Sequence, residues 1–395
     1  MRQPLSNTWS NTKLRPVLSS SKQTWSGRLR TISPVPCANR IVISAAGGGK
    51  TTRVVDQALA WEQGQGATAL ITYTRNNVRE IQLKAYERVR TIPSHLEVIS
   101  WYSFLLRELA RPYRSAMHAS RVDGIHWVEG KSVPYIPAAR ISDHYFLDGS
   151  RIYSDKIAKF VCECDRRSGG AIMRRLKQRF SHIIIDEIQD MAGYDLDLLE
   201  LILRAGVSVT FVGDHRQATF ATNNASKNKA FAGPAIIKKF ELWKKEGLVA
   251  IEHEAHTYRC NQAIANLGDS FFPDEPKTIS CNHKLTGHDG LFLVSSADVG
   301  DYITRFAPQV LRYSAATKCD SNEAMNFGES KGLTFDRVLI YPHGPARKWL
   351  ASGDISHVAK SATKMYVAVT RARYSVAFVY DGKVCSVAAT KWVPA

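Results

Sequence analysis

The sequence predicts an α/β protein with parallel sheets, and three observations predict it. Short apolar runs alternate with helical segments from Arg40 onward, the pattern of strands paired in parallel through helical crossovers. One run, Ile41-Val42-Ile43, leads through a glycine-rich turn into a helical segment. Another, Ile183-Ile184-Ile185, ends on two adjacent carboxylates, Asp186 and Glu187. Buried strands are expected at 41–44, 69–73, 182–186, 207–212, 291–294, 337–341 and 375–380.

Size and charge set the frame for these elements. A chain of 395 residues, 44% hydrophobic and 23% charged, has a globular composition and suggests two or three domains. Its 53 Lys and Arg against 36 Asp and Glu leave a net charge of +17, which points to a polyanionic partner such as nucleic acid. An inert basic surface is the plainer alternative. No apolar run approaches the roughly 18–20 residues of a membrane span, so no membrane partner is expected. Seven cysteines without a CxxC pair, and twelve scattered histidines, read as reduced thiols in a cytoplasmic protein without a zinc site.

Residues 1–40 hold seven basic residues and no acidic one. They are expected to form a basic arm, with an organellar transit peptide as the alternative. From Ser44 the sequence runs Ala45-Ala46-Gly47-Gly48-Gly49-Lys50-Thr51-Thr52 between a strand and a helix, the context a phosphate-binding loop requires. Backbone N–H groups of Ala46, Gly47, Gly48, Gly49 and Thr52 would face phosphate oxygens, Lys50 would reach the β/γ-phosphates, and the Thr51 hydroxyl would ligate Mg²⁺. Ser44 stands where the usual pattern has its first glycine. At the end of the 182–186 strand, Asp186 would complete the Mg²⁺ shell and Glu187 would orient or deprotonate the attacking water. A glycine-rich turn holding nothing and an acidic strand end in solvent are the plainer readings.

Asp-Glu-x-Gln-Asp at Asp186–Asp190 after such a loop resembles superfamily 1 helicases of the UvrD/Rep type, and further segments follow in that family's order. Ile71-Thr72-Tyr73-Thr74-Arg75-Asn76 resembles its motif Ia, and Ile99-Ser100-Trp101-Tyr102-Ser103-Phe104 its motif Ib. Val212-Gly213-Asp214-His215-Arg216-Gln217 resembles motif III, Thr257-Tyr258-Arg259 motif IV, Ser330-Lys331-Gly332-Leu333-Thr334-Phe335-Asp336 motif V, and Tyr366-Val367-Ala368-Val369-Thr370-Arg371-Ala372-Arg373 motif VI.

The resemblance implies two RecA-like P-loop domains clamping ATP and Mg²⁺, with Lys50, Asp186, Glu187, Gln217, Arg259 and Arg371 as the catalytic set. It implies Tyr258 stacking on adenine, Gln217 linking the γ-phosphate to the strand, and Arg259 and Arg371 as arginine fingers. Thr74, Arg75, Ser100, Trp101, Tyr102 and Phe220 are the implied contacts to single-stranded nucleic acid. DNA is expected, RNA is left open, and movement would be 3′ to 5′.

The sequence also departs from that family. No glutamine motif upstream of the P-loop can be placed, and only Phe220 remains of the aromatic residues that usually follow motif III. Gly328 and Thr334 replace the usual histidine and glutamate of motif V. The interval 271–326 is too short for an accessory domain. The expected organisation is an arm at 1–40, a first domain at 41–250 with a mostly helical insertion at about 111–180, and a second domain at 251–395.

The arm, and the insertion with fourteen basic against seven acidic residues, carry most of the surplus charge and should govern affinity for a polyanion. Two functions stay open at this point: a translocase or helicase on single strands, or a nucleic-acid-responsive ATPase switch acting on a protein effector or nuclease partner. A structural DNA-binding module that does not hydrolyse ATP would leave the carboxylate and arginine set idle.

Overall fold

The computed structural model describes residues 39–61, 66–223, 225–319 and 323–394. The expected basic arm lies outside them except for Asn39 and Arg40, which belong to the folded body. Asn39 donates to the carbonyls of Leu203 and Leu248, and Arg40 opens the first strand.

Each expected strand forms. The first sheet contains β1 (Arg40–Ser44), β2 (Ala67–Thr72) and β3 (Leu96–Ser100); after a short pair, β4 (Gly124–His126) and β5 (Arg151–Tyr153), it continues with β6 (Phe180–Ile185), β7 (Ser208–Gly213) and β8 (Ala250–Glu254). Its order is β3-β2-β6-β7-β1-β8, parallel throughout. Beyond the short pair β9 (His256–Thr257) and β10 (Ile279–Ser280), the second sheet takes in β11 (Gly290–Val294), β12 (Gln309–Arg312), β13 (Met325–Asn326), β14 (Phe335–Tyr341), β15 (Ala372–Val379) and β16 (Thr390–Lys391). Its order is β13-β12-β14-β15-β11-β16, again parallel. The molecule is thus two parallel-sheet α/β domains of the RecA-like kind.

Strand alternation explains why both sheets are covered on both faces. Val42, Leu70, Ile184 and Val212 pack on one face of the first sheet with Val54, Val55 and Ala58 of the helix Lys50–Ala60 and Ile81 of Arg75–Val89. Ile41, Ile43, Ala69, Ile71, Ile183 and Ile185 take the opposite face with Trp101, Phe104 and Leu105. The insertion contributes the helices Ile157–Arg167 and Ala171–Arg179 to this side. In the second sheet Val338, Ile340, Val376 and Phe378 pack against Ile264, Trp349 and Met365, while Leu339, Ala377 and Val294 pack against Tyr302 and Trp392.

Strands β3, β8 and β12 were not foreseen, and all lie at or next to a sheet edge, where a strand carries charged or polar residues instead of an unbroken apolar run. Strand β8 reads Ala-Ile-Glu-His-Glu and pairs with β1 as far as Glu254, so a boundary after residue 250 cuts it. Among the described residues no helix is long and apolar enough to cross a membrane.

Candidate nucleotide site and nucleic-acid cleft

In a parallel sheet, ligands collect where the carboxyl ends of adjacent strands release their loops. The order β2-β6-β7-β1 sets four such ends side by side, with Ile71 opposite Ile185, Ile185 opposite Phe211, and Ile43 opposite Gly213. They release Tyr73 and Thr74, Asp186 and Glu187, Asp214 to Gln217, and the glycine-rich turn. A cleft of about 970 Å³ opens over them, lined also by Tyr258, Arg259, Lys331 and Arg371 from the chain that follows.

The turn is held from the far side as well. Thr257 Oγ1 donates to Ala46 O at 2.6 Å, and Tyr258 N donates to Gly47 O at 3.0 Å. Gly47 has φ +75°, and a Cβ there would lie 2.4 Å from Arg259 Cβ. Glycine is therefore demanded both by backbone conformation and by close approach. Ala46 departs from expectation: it is buried, and its N–H donates to Tyr366 Oη at 3.2 Å, so it does not reach the cleft. Gly47, Gly48, Gly49, Lys50, Thr51 and Thr52 do line it. Lys50 Nζ donates to the carbonyls of Ser44 and Ala45 at 3.0 and 3.2 Å. Burial lowers its pKa, against the pull of Asp214, Glu187 and Asp186.

Asp186 and Glu187 meet at a sharp turn. Glu187 takes φ 58°, left-handed backbone that is uncommon for a residue with a side chain, and its N–H donates to Asp186 Oδ1 at 2.9 Å. Burial, then the neighbouring Glu187, push the Asp186 carboxyl up to about 7. Burial also acts to raise Glu187, but the ammonium groups of Lys331 and Lys50 outweigh it and hold that carboxyl low. Gln189 donates to Glu187 Oε2 through its amide nitrogen and accepts from Asp214 N at 3.1 Å through its oxygen. One side chain thereby fixes the glutamate against the neighbouring loop.

These groups suit Mg²⁺ bound together with a nucleotide. Asp186 is a buried acid beside a second acid, an arrangement a divalent cation relieves, and Thr51 stands on the same cleft wall. Among the described residues no three His, Cys, Asp or Glu gather into a metal site. The other ligands would then be phosphate oxygens and water, as Mg²⁺ commonly takes them.

Residues of the second half of the chain close the cleft. Arg371 is buried, and its guanidinium donates to Gln217 Oε1 at 3.0 Å and to the carbonyls of Val367 and Leu333. Burial, with Arg259 nearby, depresses its pKa, against the pull of Tyr366, Glu187 and Asp214. Arg259 donates to Thr370 O at 3.1 Å. Gln217 also donates to Asp214 Oδ2 at 2.9 Å, which makes Asp214 a hub: it accepts from Arg216 Nε at 2.9 Å and from Tyr366 Oη at 3.1 Å.

Sequence reasoning missed Asp214, Tyr366 and Lys331 as site residues, although all three stand inside quoted motifs. Lys331 Nζ lies 2.7 Å from Asp190 Oδ2 and 3.5 Å from Glu187 Oε2. A lysine one step before Gly332, set against the third acid of Asp186–Asp190, was the available signal.

The expected nucleic-acid contacts divide. Thr74 and Phe220 line the cleft; Thr74 also caps the helix Arg75–Val89 through Asn77 N, and Arg75 is exposed on its first turn. Ser100 caps the next helical turn by accepting from Ser103 N. Trp101 is fully buried and donates Nε1 to Asp195 Oδ1 at 3.2 Å. It is a core residue, out of reach of a base. Tyr102 is buried too, in T-shaped contact with Tyr73 and Trp127. Tyr258, 64% exposed beside Gly47, stands free over the entrance.

A phosphate-binding turn, a two-carboxylate strand end and two arginines facing them across one cleft define a P-loop NTPase built from two lobes. The model of the viral superfamily 1 RNA helicase core domain matches residues 165–380, more than half of the chain, and an AAA domain model matches residues 31–223. The chain therefore belongs to the viral superfamily 1 RNA helicase core family. The family is superfamily 1, as the motifs implied, without singling out the UvrD/Rep type. Among solved structures, the complex of arterivirus nonstructural protein 10, a helicase, with DNA is similar at 14% identity and a TM-score of 0.46, over 88% of this chain and 61% of that one. The chain thus spans about three fifths of that helicase's length. A comparison with curated proteins finds no match in sequence.

Proposed function

We propose that this protein is an ATP-driven translocase or helicase acting on single-stranded nucleic acid. The observation that carries the reading is the meeting in one cleft of Lys50, Asp186 and Glu187 from the first sheet with Arg259 and Arg371 from beyond it. Phosphoryl transfer needs positioning and charge neutralisation more than covalent chemistry, and cations supplied by a second lobe make turnover depend on closure.

In this reading Lys50 leaves the Ser44 and Ala45 carbonyls for the β/γ-phosphates, and Thr51 and Asp186 hold Mg²⁺, which neutralises charge on the phosphates. Glu187, kept ionised by Lys331 and Lys50, accepts a proton from the attacking water. Gln217, bonded to Arg371 and one loop from Phe220, passes the state of the phosphate site to the strand. Tyr258 covers the base of the nucleotide. The free thiols of Cys162, Cys164, Cys260, Cys281 and Cys385 accord with a reducing, cytoplasmic setting.

DNA was the first expectation, while the matched family model is named for RNA helicases, so single-stranded DNA and RNA are two arms of one test. ATPase activity is measured with single-stranded DNA, single-stranded RNA, duplex or nothing, beside Lys50→Ala and Glu187→Gln. Single strands should raise the rate severalfold. Glu187→Gln should lose on the order of 10²-fold or more in turnover and keep ATP, whereas Lys50→Ala should lose nucleotide affinity. A wild-type rate indifferent to every nucleic acid would refute the motor reading. Displacement of blocks at either end of a strand tests the 3′-to-5′ direction that the UvrD/Rep-type resemblance implies.

A further inference from the structure

Among the described residues Trp127 is the only exposed tryptophan, at 62%. It follows directly on β4 of the insertion, and the hydrophobic core is closed without it. An isolated exposed ring would need no explanation, but Trp127 ends a row of four. Its ring meets Tyr102 edge-on at 4.6 Å, Tyr102 lies 5.9 Å from Tyr73, and Tyr73 lies 5.0 Å from Phe220, centroid to centroid. Phe220 and Tyr73 line the cleft, so the row leads from the nucleotide site out onto the insertion.

The row is rigid where it needs to be. Tyr102 is buried and donates its hydroxyl to Thr222 O at 2.9 Å, which fixes the ring that Trp127 leans on. Both phenols stay neutral: burial pushes Tyr73 up to about 12 and raises Tyr102 further, so neither presents a negative charge to phosphate. The insertion supplies the complementary charge, with fourteen basic residues against seven acidic between 111 and 180. Aromatic faces beside a basic surface are how proteins hold single strands without reading sequence, because every base offers a π-face.

We infer that Trp127 is the outer base-stacking platform of the single-strand path, carrying the strand from Phe220 at the cleft onto the insertion. The inference rests on the single-strand reading above and adds to it the insertion as a strand-holding element. Of the aromatic residues the sequence offers as strand contacts, Phe220, Trp101 and Tyr102, the last two are buried. Trp127 lies outside every motif, so nothing in the family pattern pointed to it.

The test is the anisotropy of fluorescein-labelled oligothymidylate and oligouridylate titrated with the full chain at fixed salt. Trp127→Ala should raise Kd roughly tenfold, the loss expected of one stacked base, and Trp127→Phe should recover most of it. Tyr135→Ala, which removes a 94% exposed ring outside the row, should leave Kd unchanged. Thermal midpoints equal to wild type show that affinity and not folding has changed. If wild type binds and Trp127→Ala binds equally well, the platform is refuted while the motor reading stands. If wild type binds neither oligonucleotide, both fall.

Discussion

Asp195 shows how a single buried group sets a pH response. It lies in the first turn of the helix Tyr194–Arg204, is 3% exposed, and accepts from Trp101 Nε1 and Thr222 Oγ1. Burial pushes its carboxyl up to about 7, with those two hydrogen bonds opposing the rise. An unfolded Asp titrates near pH 4, so between about 4 and about 7 the native state holds a proton that the unfolded chain has released. Stability then falls as pH rises through that window and levels off above it. Asp195→Asn keeps an acceptor for the indole and removes the charge. It should raise the thermal midpoint at pH 8, by no more than a few kcal/mol of stability, and leave it little changed at pH 5. Asp186 and Asp190, both also pushed up to about 7 mainly by burial, remain in the variant, so its pH slope should be shallower and not flat. An equal slope in variant and wild type would remove Asp195 from the account. The same geometry explains the misplacement of Trp101: a motif tells which strand end a residue follows, not which way its ring turns.

At the scale of elements, the segment carrying Lys331 is fastened to the turn after β6 by one half-buried ammonium shared between two acids. Lys331 Nζ lies 2.9 and 2.7 Å from the two Asp190 oxygens, and burial, which would lower its pKa, is outweighed by Glu187 and Asp190. Removing one partner of such a pair leaves unpaired charge in a poorly solvated place and costs about 3–5 kcal/mol where burial is complete. Lys331 is partly exposed, so about half of that is expected for Lys331→Met. Adding Asp190→Asn should return part of the loss, and thermal melts of both single variants and the double variant give the coupling energy. Additive losses would mean that the contact contributes nothing. This pairing also marks what the sequence could and could not show. The turn at Gly47–Gly49 and the Asp186-Glu187 pair were readable because each is local, a few residues in fixed order between a strand and a helix. Lys331 and Asp190 stand 141 residues apart, and only the fold brings them together. Edge strands β3 and β8 were missed for a related reason: their side chains answer to solvent and to ion pairs such as Arg179–Glu97, not to a core with a period.

Across the whole molecule, the two lobes meet through a chain of polar contacts that ends on the phosphate-binding turn. Tyr366, 2% exposed, accepts from Ala46 N–H and donates to Asp214 Oδ2, while Arg216 lies over its ring at 4.8 Å. Asp214 in turn accepts from Gln217, and Gln217 accepts from Arg371. In the proposed mechanism, a change at the γ-phosphate that moves Arg371 would reach Gln217 and the motif III loop through these bonds. Tyr366→Phe isolates this connection, because it keeps the ring under Arg216 and against Phe272 and removes only the hydroxyl. Two buried hydrogen bonds are lost, at about 1 kcal/mol each, and the Ala46 N–H is left without its partner. Global stability should fall by roughly that sum. If the hydroxyl ties phosphate site to strand, stimulation of the ATPase by single strands should drop several times more than the basal rate, since in the proposed mechanism basal turnover rests on Lys50 and Glu187 and not on this hydroxyl. Equal losses in basal and stimulated rates would make Tyr366 a packing residue only.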